Sequence, residues 1–230
     1  MATVNYSMLV IGVAAIITVL ALVFRGKLKM GASVKGMLSK PRGFLDKISA
    51  TALIRYKATS RFEDVVEEVV NFYQAKGRRV LLISSASRVD IYNKLFSGSI
   101  QRGDVMLVKI SASQRTDRFY LMQTAEKKNE AAGKIAEISV DWLEYLSEII
   151  EGLPRESAVV FEPLSDIILM NGFDKTFKFI KKVIDYCASE GIKTIAFINE
   201  EAHEEMAKAS FEGLFTNIAK MSNNRLEVVK

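Results

Sequence analysis

The sequence has very little cysteine and histidine. Its 230 residues include one cysteine, Cys187, and one histidine, His203. A single cysteine excludes an intramolecular disulfide framework and any zinc site built from several cysteines. A single histidine excludes metal motifs that need two imidazoles. Hydrophobic residues nonetheless make up 49% of the chain, so most of it can bury a core and extensive disorder is not expected.

Charged side chains are absent from residues 1–24. Within this stretch, residues 8–24 read MLVIGVAAIITVLALVF, and Thr18 is their only polar residue. With Tyr6 and Ser7 added, a helix here would be about 28 Å long, close to the roughly 30 Å of bilayer hydrocarbon. No Lys or Arg precedes the run and Arg25 follows it, which favours a retained anchor over a cleaved signal peptide or a buried core helix. We predict an extracytoplasmic tail over residues 1–7 and a transmembrane helix over residues 8–24.

Positive charge is concentrated just after the predicted anchor. Residues 25–57 carry nine Lys and Arg but one acid, Asp46, so residues 58–230 are slightly acidic. By the positive-inside rule, the N-terminus lies outside the cell membrane and the C-terminal domain is cytoplasmic. We predict a basic juxtamembrane linker over residues 25–50 that contacts anionic lipid headgroups. The predicted membrane-surface contacts are Arg25, Lys27, Lys29, Lys35, Lys40 and Arg42.

The remaining sequence alternates between helical and strand patterns. Short apolar runs predict buried strands over residues 79–83, 105–110, 157–161 and 193–198, with weaker ones at 135–140 and 226–229. Helical spacing predicts a helix from Phe62 to Gly77, capped by Thr59 or Ser60, and others after Arg88, over 141–150 and over 173–190. Residues 200–220 are expected to be mostly helical. This alternation predicts a cytoplasmic α/β domain over residues 51–230, with a mainly parallel sheet and helices on both faces.

Polar residues that follow two of the predicted strands form the candidate ligand site, because such folds bind ligands beyond the carboxyl ends of strands. Serine hydroxyls and an arginine after one strand could hold an anion, or Ser87 could instead cap the next helix. Glu162 stands where an NTPase holds a magnesium-bound water, or it could be a carboxylate that orders the loop. The tentative ligand-binding residues are Ser84, Ser85, Ser87, Arg88, Glu162 and Asp166.

No catalytic motif is present. The sequence lacks a P-loop, G-x-S-x-G, H-E-x-x-H and paired cysteines; residues 26–33 come nearest to a P-loop, but Ala32 replaces its lysine. Glu200, His203 and Glu204 would share a helical face, as metal ligands could. However, only one imidazole is available, and acids in the first turn of a helix capped by Asn199 are stabilised by the helix dipole, so no metal is needed to explain them. Cys187 lies on an apolar helix face and is expected to be a core thiol. We therefore predict no catalytic residue, no metal and no cofactor, leaving nucleotide binding open.

Two stretches carry a family resemblance. Residues 77–84 read GRRVLLIS; residues 158–168 read AVVFEPLSDII and are followed by Asn-Gly-Phe, a long helix and the strand at 193–198. This pattern resembles the archaeal domain of unknown function 835 family, which looks like a KaiC/RecA-type ATPase core that has lost its P-loop. The family commonly has Asp and then Gly where this chain has Glu162 and Pro163, and its arginine comes earlier than Arg88. The resemblance implies a RecA-like fold that acts through contacts, and it supplies no catalytic residue.

Two functions are compatible with these observations. The first is a single-pass, membrane-anchored scaffold or regulator, non-catalytic, whose cytoplasmic domain docks a protein partner or a second copy of itself. The alternative is a nucleotide or phosphometabolite sensor that uses residues 84–88 and Glu162. Nucleic acid is not the expected partner, because the basic stretch contains only Phe44 and Tyr56 as aromatic residues and the folded domain is acidic.

Overall fold

The computed structural model describes residues 42–112, 135–222 and 225–230. Eight strands in these residues form one sheet. The strands are β1 Thr51–Tyr56, β2 Val80–Ser85, β3 Val105–Ser111, β4 Ala136–Ser139, β5 Ala158–Phe161, β6 Lys193–Asn199, β7 Asn217–Ser222 and β8 Arg225–Val228. The helices are α1 Arg42–Leu45, α2 Phe62–Ala75, α3 Val89–Leu95, α4 Ser97–Arg102, α5 Leu143–Glu151, α6 Leu164–Asn171, α7 Phe173–Ser189 and α8 Glu205–Glu212, with a 3-10 turn at Val140–Trp142 before α5.

The sheet is mainly parallel, as predicted. Its strand order is β4-β3-β2-β5-β6-β1-β7-β8, and among these neighbours only β7 and β8 run antiparallel. Every residue of β2 and of β5 is buried. Strands covered on both faces need apolar side chains at successive positions, which is why β2, β5 and β6 are recognisable in the sequence as short apolar runs.

Helices cover both faces of the sheet. Successive strand residues point to opposite faces. On one face, Ile83 and Phe161 pack with residues of α5, α6, α7 and α8 in one buried cluster. On the other, Tyr56 stacks on Phe62 of α2 with ring centroids 4.0 Å apart, and Phe62 lies 6.3 Å from Phe197 of β6.

The apolar residues of α2 and α7 recur at helical spacing and are buried, and each helix ends near the glycine that the sequence indicated. Gly77 (φ 73°) and Gly191 (φ 71°) adopt the left-handed conformation that glycine tolerates at a helix C-terminus. The predicted cap of α2 is wrong, however. Arg61 is the N-cap residue and its side chain makes no capping hydrogen bond, while the Ser60 hydroxyl donates to the Lys57 carbonyl.

The segment after β6 differs from the sequence-based expectation. The predicted helix over residues 200–220 is wrong, because only Glu205–Glu212 is helical and residues 217–222 form β7. Pairing of β7 with β1 and β8, together with burial of Ile218, Ala219 and Met221, outweighs local helix propensity. Four further elements were not predicted: strand β1, at the end of the basic stretch, and the helices α1, α4 and α6.

The predicted tail, anchor and most of the linker lie outside the described residues. Within the part of the chain that the structure describes, no helix is long and apolar enough to cross a membrane. Of the six predicted lipid contacts, only Arg42 is described, as the first residue of α1. Phe44, Leu45 and Ile48 are buried, so packing of the domain begins ahead of residue 51.

Candidate functional site

The candidate site lies where the chain direction through the sheet reverses. Strands β2 and β5 are neighbours, but β2 continues to β3 on one side while β5 continues to β6 on the other. Such a switch point opens a crevice beyond the carboxyl ends of the two strands, the usual ligand position in open α/β sheets. Ser84 and Ser85 end β2, Glu162 directly follows β5, and Asp166 lies in the first turn of α6.

Glu162 is the centre of this site. Its side chain is fully buried. One carboxylate oxygen accepts hydrogen bonds from the Ser85 backbone N–H at 3.0 Å and the Ser84 hydroxyl at 3.1 Å. The other oxygen accepts from Nη1 of Arg88 at 2.8 Å. The buried carboxylate is therefore satisfied by three donors, one of them charged.

Arg88 joins the crevice to α2. Its Nη1 also donates to the Ser85 hydroxyl at 3.1 Å and lies 3.6 Å from a carboxylate oxygen of Asp166. Its Nε lies 3.4 Å from Glu63, and its guanidinium stands 4.8 Å from the centre of the Phe62 ring. One cation thus contacts three carboxylates and an aromatic face.

Glu63 was missed in the sequence. It stands in the first turn of α2, where an acid is explained by the helix dipole alone, and only the tertiary fold brings it to Arg88. The sequence feature that could have indicated Glu63 as a site residue is an acid at the start of a helix that follows a strand. The strand concerned, β1, was itself not predicted.

Burial dominates the electrostatics of the crevice. It raises the pKa of Glu162 to about 7, although Arg88, the Ser85 N–H and the Ser84 hydroxyl all favour the ionised form. Burial alone would lower the pKa of Arg88, but neighbouring negative charge, with Glu162 first, raises it above the ordinary value. Arg88 therefore stays charged, whereas Glu162 titrates near neutral pH.

Two tyrosines complete the walls of the site. Tyr92 of α3 is fully buried, and its hydroxyl has no hydrogen-bond partner among the described residues. Burial, and then the charge of Glu162, raises the pKa of Tyr92 and of Tyr56. Both phenols are therefore neutral at physiological pH. Neither tyrosine was predicted from the sequence to belong to the site.

Ser87 does not cap α3. The N-cap residue is Arg88, without a side-chain capping hydrogen bond, and the Ser87 hydroxyl lies 3.0 Å from that of Ser85. The capping interpretation of Ser87 is therefore wrong. All six predicted site residues nevertheless come together, and Glu162 orders the loop by holding the Ser85 N–H.

The groups that could bind an anion are already occupied by the protein's own carboxylate. The Ser85 N–H and Arg88, the two strongest donors of the loop, both bind Glu162. With Glu63 and Asp166 also near Arg88, acids outnumber the cation. A phosphate would have to displace Glu162 and enter a negative field.

The acidic segment after β6 is also different from its prediction. Residues 200–204 are not helical, so Glu200, His203 and Glu204 share no helical face. Glu200 pairs with Arg55 at 3.0 Å and Lys220 at 3.1 Å. Asn199 caps a turn instead, accepting from the Glu201 N–H at 3.0 Å. Across the described ranges, no group of three His, Cys, Asp or Glu side chains could hold a metal ion.

Cys187 is a core thiol, as predicted. It is fully buried in the cluster on the α7 side of the sheet. Burial raises its pKa, so the thiol stays protonated and is a poor nucleophile.

Comparison with known proteins supports the fold. No family model and no curated protein matches the chain. A Pyrococcus horikoshii OT3 protein, PH0250, has a similar structure with a TM-score of 0.53 and 18% identity over 84% of this chain and 92% of that one. An uncharacterized P. horikoshii protein, solved in complex with an unknown peptide, also has a TM-score of 0.53, with 13% identity over 80% and 85% of the two chains.

A third similar structure is the flagellar accessory protein FlaH from Methanocaldococcus jannaschii, with a TM-score of 0.47 and 12% identity over 84% and 86% of the chains. The first two structures confirm the α/β fold. The finer family resemblance stays a prediction.

Proposed function

We propose that this protein is a single-pass membrane protein whose cytoplasmic α/β domain is a non-catalytic scaffold or regulator. Its N-terminus would lie outside the cell membrane, and its domain would dock a cytosolic protein partner, or a second copy, at the inner surface. The proposal that the domain is non-catalytic rests on the occupation of the crevice by the protein's own carboxylate. Glu162 occupies the donors that a nucleotide phosphate would need.

The membrane part of the proposal is supported by the sequence. Residues 8–24 are long and apolar enough to span a bilayer, and the basic residues follow them on one side only. Anionic lipid is therefore the first partner, through residues such as Arg25, Lys27 and Lys29.

Docking of a protein is supported by the surface beside the crevice. Ile91 and Leu95 stand one turn apart on α3 and are 46% and 47% exposed. Arg88 is the N-cap residue of this helix, so the apolar pair follows closely after the residues that close the crevice. One similar structure was solved with an unknown peptide, which is a precedent for peptide binding by a domain of this fold.

The proposal is tested with the full-length protein in lipid nanodiscs. We expect no turnover of ATP or GTP, and we expect a photo-crosslinker at Leu95 to give one discrete adduct in cells. The same crosslinker at Lys178, an exposed position on α7, is the control. NTP hydrolysis that is lost in Glu162→Gln would contradict the non-catalytic proposal.

A second candidate, the phosphometabolite sensor, is favoured by one observation. The pKa of Glu162 is raised to about 7, so a modest fall in pH protonates it and weakens its hold on Arg88 and the Ser85 N–H. Those donors would then be free for a phosphate. This function requires saturable binding that strengthens as pH falls below 7 and disappears in Arg88→Ala.

A further inference from the structure

Basic side chains gather at the edge of the sheet opposite the crevice, where the parallel strands begin. We propose that this edge is a membrane-facing surface that binds the phosphate groups of anionic lipid headgroups. The inference rests on the membrane anchor proposed above. The amino-end surface is defined by Lys76, Arg78, Arg79, Arg102 and Lys193.

A depression of about 450 Å³ lies on this surface, in front of β2 and β3, and it is lined by three arginines and one acid, Asp104. Arg79 is exposed, and its guanidinium makes no hydrogen bond or ion pair with the described residues. Arg102 is 64% exposed while paired with Asp104 at 2.8 Å. Arg78 donates to the backbone carbonyl of Glu156 at 2.6 Å. Because this acceptor is neutral, the hydrogen bond does not neutralise the charge of Arg78. Arginines with free N–H groups around a shallow depression match the planar, multi-donor recognition of phosphate.

Positive charge continues along the edge beyond the depression. Burial and then the charges of Arg78 and Lys76 lower the pKa of Lys193, so Lys193 lies in the positive field of both. Lys76 is 46% exposed and pairs with Asp46 at 2.8 Å. These like charges repel one another, and an apposed anionic surface would relieve that repulsion.

The chain also enters the domain at this edge. Asp46 binds Lys76, and the Lys193 ammonium donates to the carbonyl of Ser49, two residues before β1. Helix α1 therefore lies beside the amino-end surface. The preceding residues 25–41 are basic and can span at most roughly 60 Å, so the edge stays within reach of the bilayer.

The opposite edge has no comparable group of arginines around a depression among the described residues. Four acids there share three cations: Glu63 and Asp166 pair with Arg88, Glu201 with Lys57 and Glu205 with Lys208. An anionic bilayer should therefore favour the amino-end surface over this edge, which would orient the crevice and α3 toward the cytoplasm.

The test uses the full chain in two kinds of vesicle, phosphatidylcholine alone and phosphatidylcholine with phosphatidylglycerol. A fluorophore is attached at Ala75→Cys on the amino-end surface or at Thr59→Cys beyond β1; native Cys187 is buried and stays unlabelled. Quenching of the fluorophore by a spin label attached to lipid headgroups measures how close the labelled residue lies to the bilayer surface. We expect strong quenching at residue 75, weak quenching at residue 59, and the difference only on vesicles with phosphatidylglycerol.

The decisive variant is Arg79→Glu with Arg102→Glu. At about fivefold for each basic residue at the surface, loss of the two positive charges alone lowers the ratio of surface-bound to free domains by roughly 25-fold, and the two added negative charges lower it further. Lys175→Glu with Lys178→Glu on α7 changes the net charge equally and should leave quenching intact. Equal loss in both variants, or equal quenching on the two vesicle types, would overturn the proposal.

Two controls separate the remaining explanations. Stabilisation of the protein by inorganic phosphate that depends on Arg79 would assign the depression to a soluble ligand and would also overturn the lipid proposal. Retention in neutral vesicles after alkaline carbonate extraction reports the anchor alone. An anchored protein without quenching at residue 75 therefore contradicts only this inference, whereas a protein that washes off contradicts the proposed function.

Discussion

Replacing Arg88 by alanine should destabilise the domain, and the loss should grow with pH. Arg88 is the only charged donor to the fully buried Glu162 carboxylate among the described contacts. Removing one partner of a buried ion pair costs about 3–5 kcal/mol, because the other charge is left uncompensated. Glu162 can escape that cost by taking up a proton, so the loss depends on pH.

The sign follows from linkage. The pKa of Glu162 is raised to about 7 in the folded protein, so the folded state holds a proton that the unfolded state has released. Stability therefore falls as pH rises toward 7 and levels off above it. Without Arg88 the folded-state pKa rises further, and stability should keep falling between about pH 7 and pH 9, by at most about 1.4 kcal/mol per pH unit.

The assay is urea denaturation of the full-length protein in nanodiscs, followed by circular dichroism at several pH values. Glu162→Gln in the Arg88→Ala background is the matched control, because it removes the group that titrates. We expect the double variant to lose the pH slope above 7 and to be destabilised by less than the sum of the single variants. An Arg88→Ala variant whose stability is flat between about pH 7 and pH 9 would refute the reasoning.

Three further results are expected. Cys187 should react with a maleimide many times faster in urea than in buffer, because folding buries its thiol and raises its pKa; a fast native reaction would contradict the buried position. Phe161→Ala should lower the free energy of unfolding by about 3–5 kcal/mol, since its ring is fully buried; a loss below 1 kcal/mol would contradict this packing. Burial would raise the pKa of Glu200, but hydrogen bonds from Arg55 and Lys220 lower it overall, so its stabilisation is lost as pH falls through that pKa. Glu200→Gln should therefore make acid denaturation shallower, and an unchanged acid limb would count against this network.

The sequence revealed those parts of the fold that local patterns specify. Strands β2, β5 and β6 are buried on both faces, so they appear as short apolar runs. Strand β1 was missed because its residues TALIRY include Arg55 and follow a basic stretch, and nothing local shows that Arg55 pairs with Glu200 and Glu212. Strand β7 lies in a segment whose local pattern predicts helix, and its strand conformation depends on pairing with β1.

The candidate site was likewise predictable only where local sequence patterns determine it. Strand ends are readable from the sequence, so Ser85 and Glu162 could be placed at one edge of the sheet. Their mutual hydrogen bond could not, because adjacency of β2 and β5 is a property of strand order. Glu63 and Tyr92 reach the crevice only through packing of α2 and α3, which no spacing in the sequence encodes.

In the proposed function, the crevice is closed by its own ion pair and the domain acts through contacts with partners. The most direct test of this proposal is a thermal shift of the full-length protein in nanodiscs with ATP, ADP, GTP and cyclic dinucleotides, each with Mg²⁺, at a pH where Glu162 is ionised. A ligand at 100 times its dissociation constant would stabilise the folded state by about 2.7 kcal/mol, which is readily detected. We predict no shift with any of them. A saturable shift that disappears in Arg88→Ala would contradict the account and establish a nucleotide-binding site.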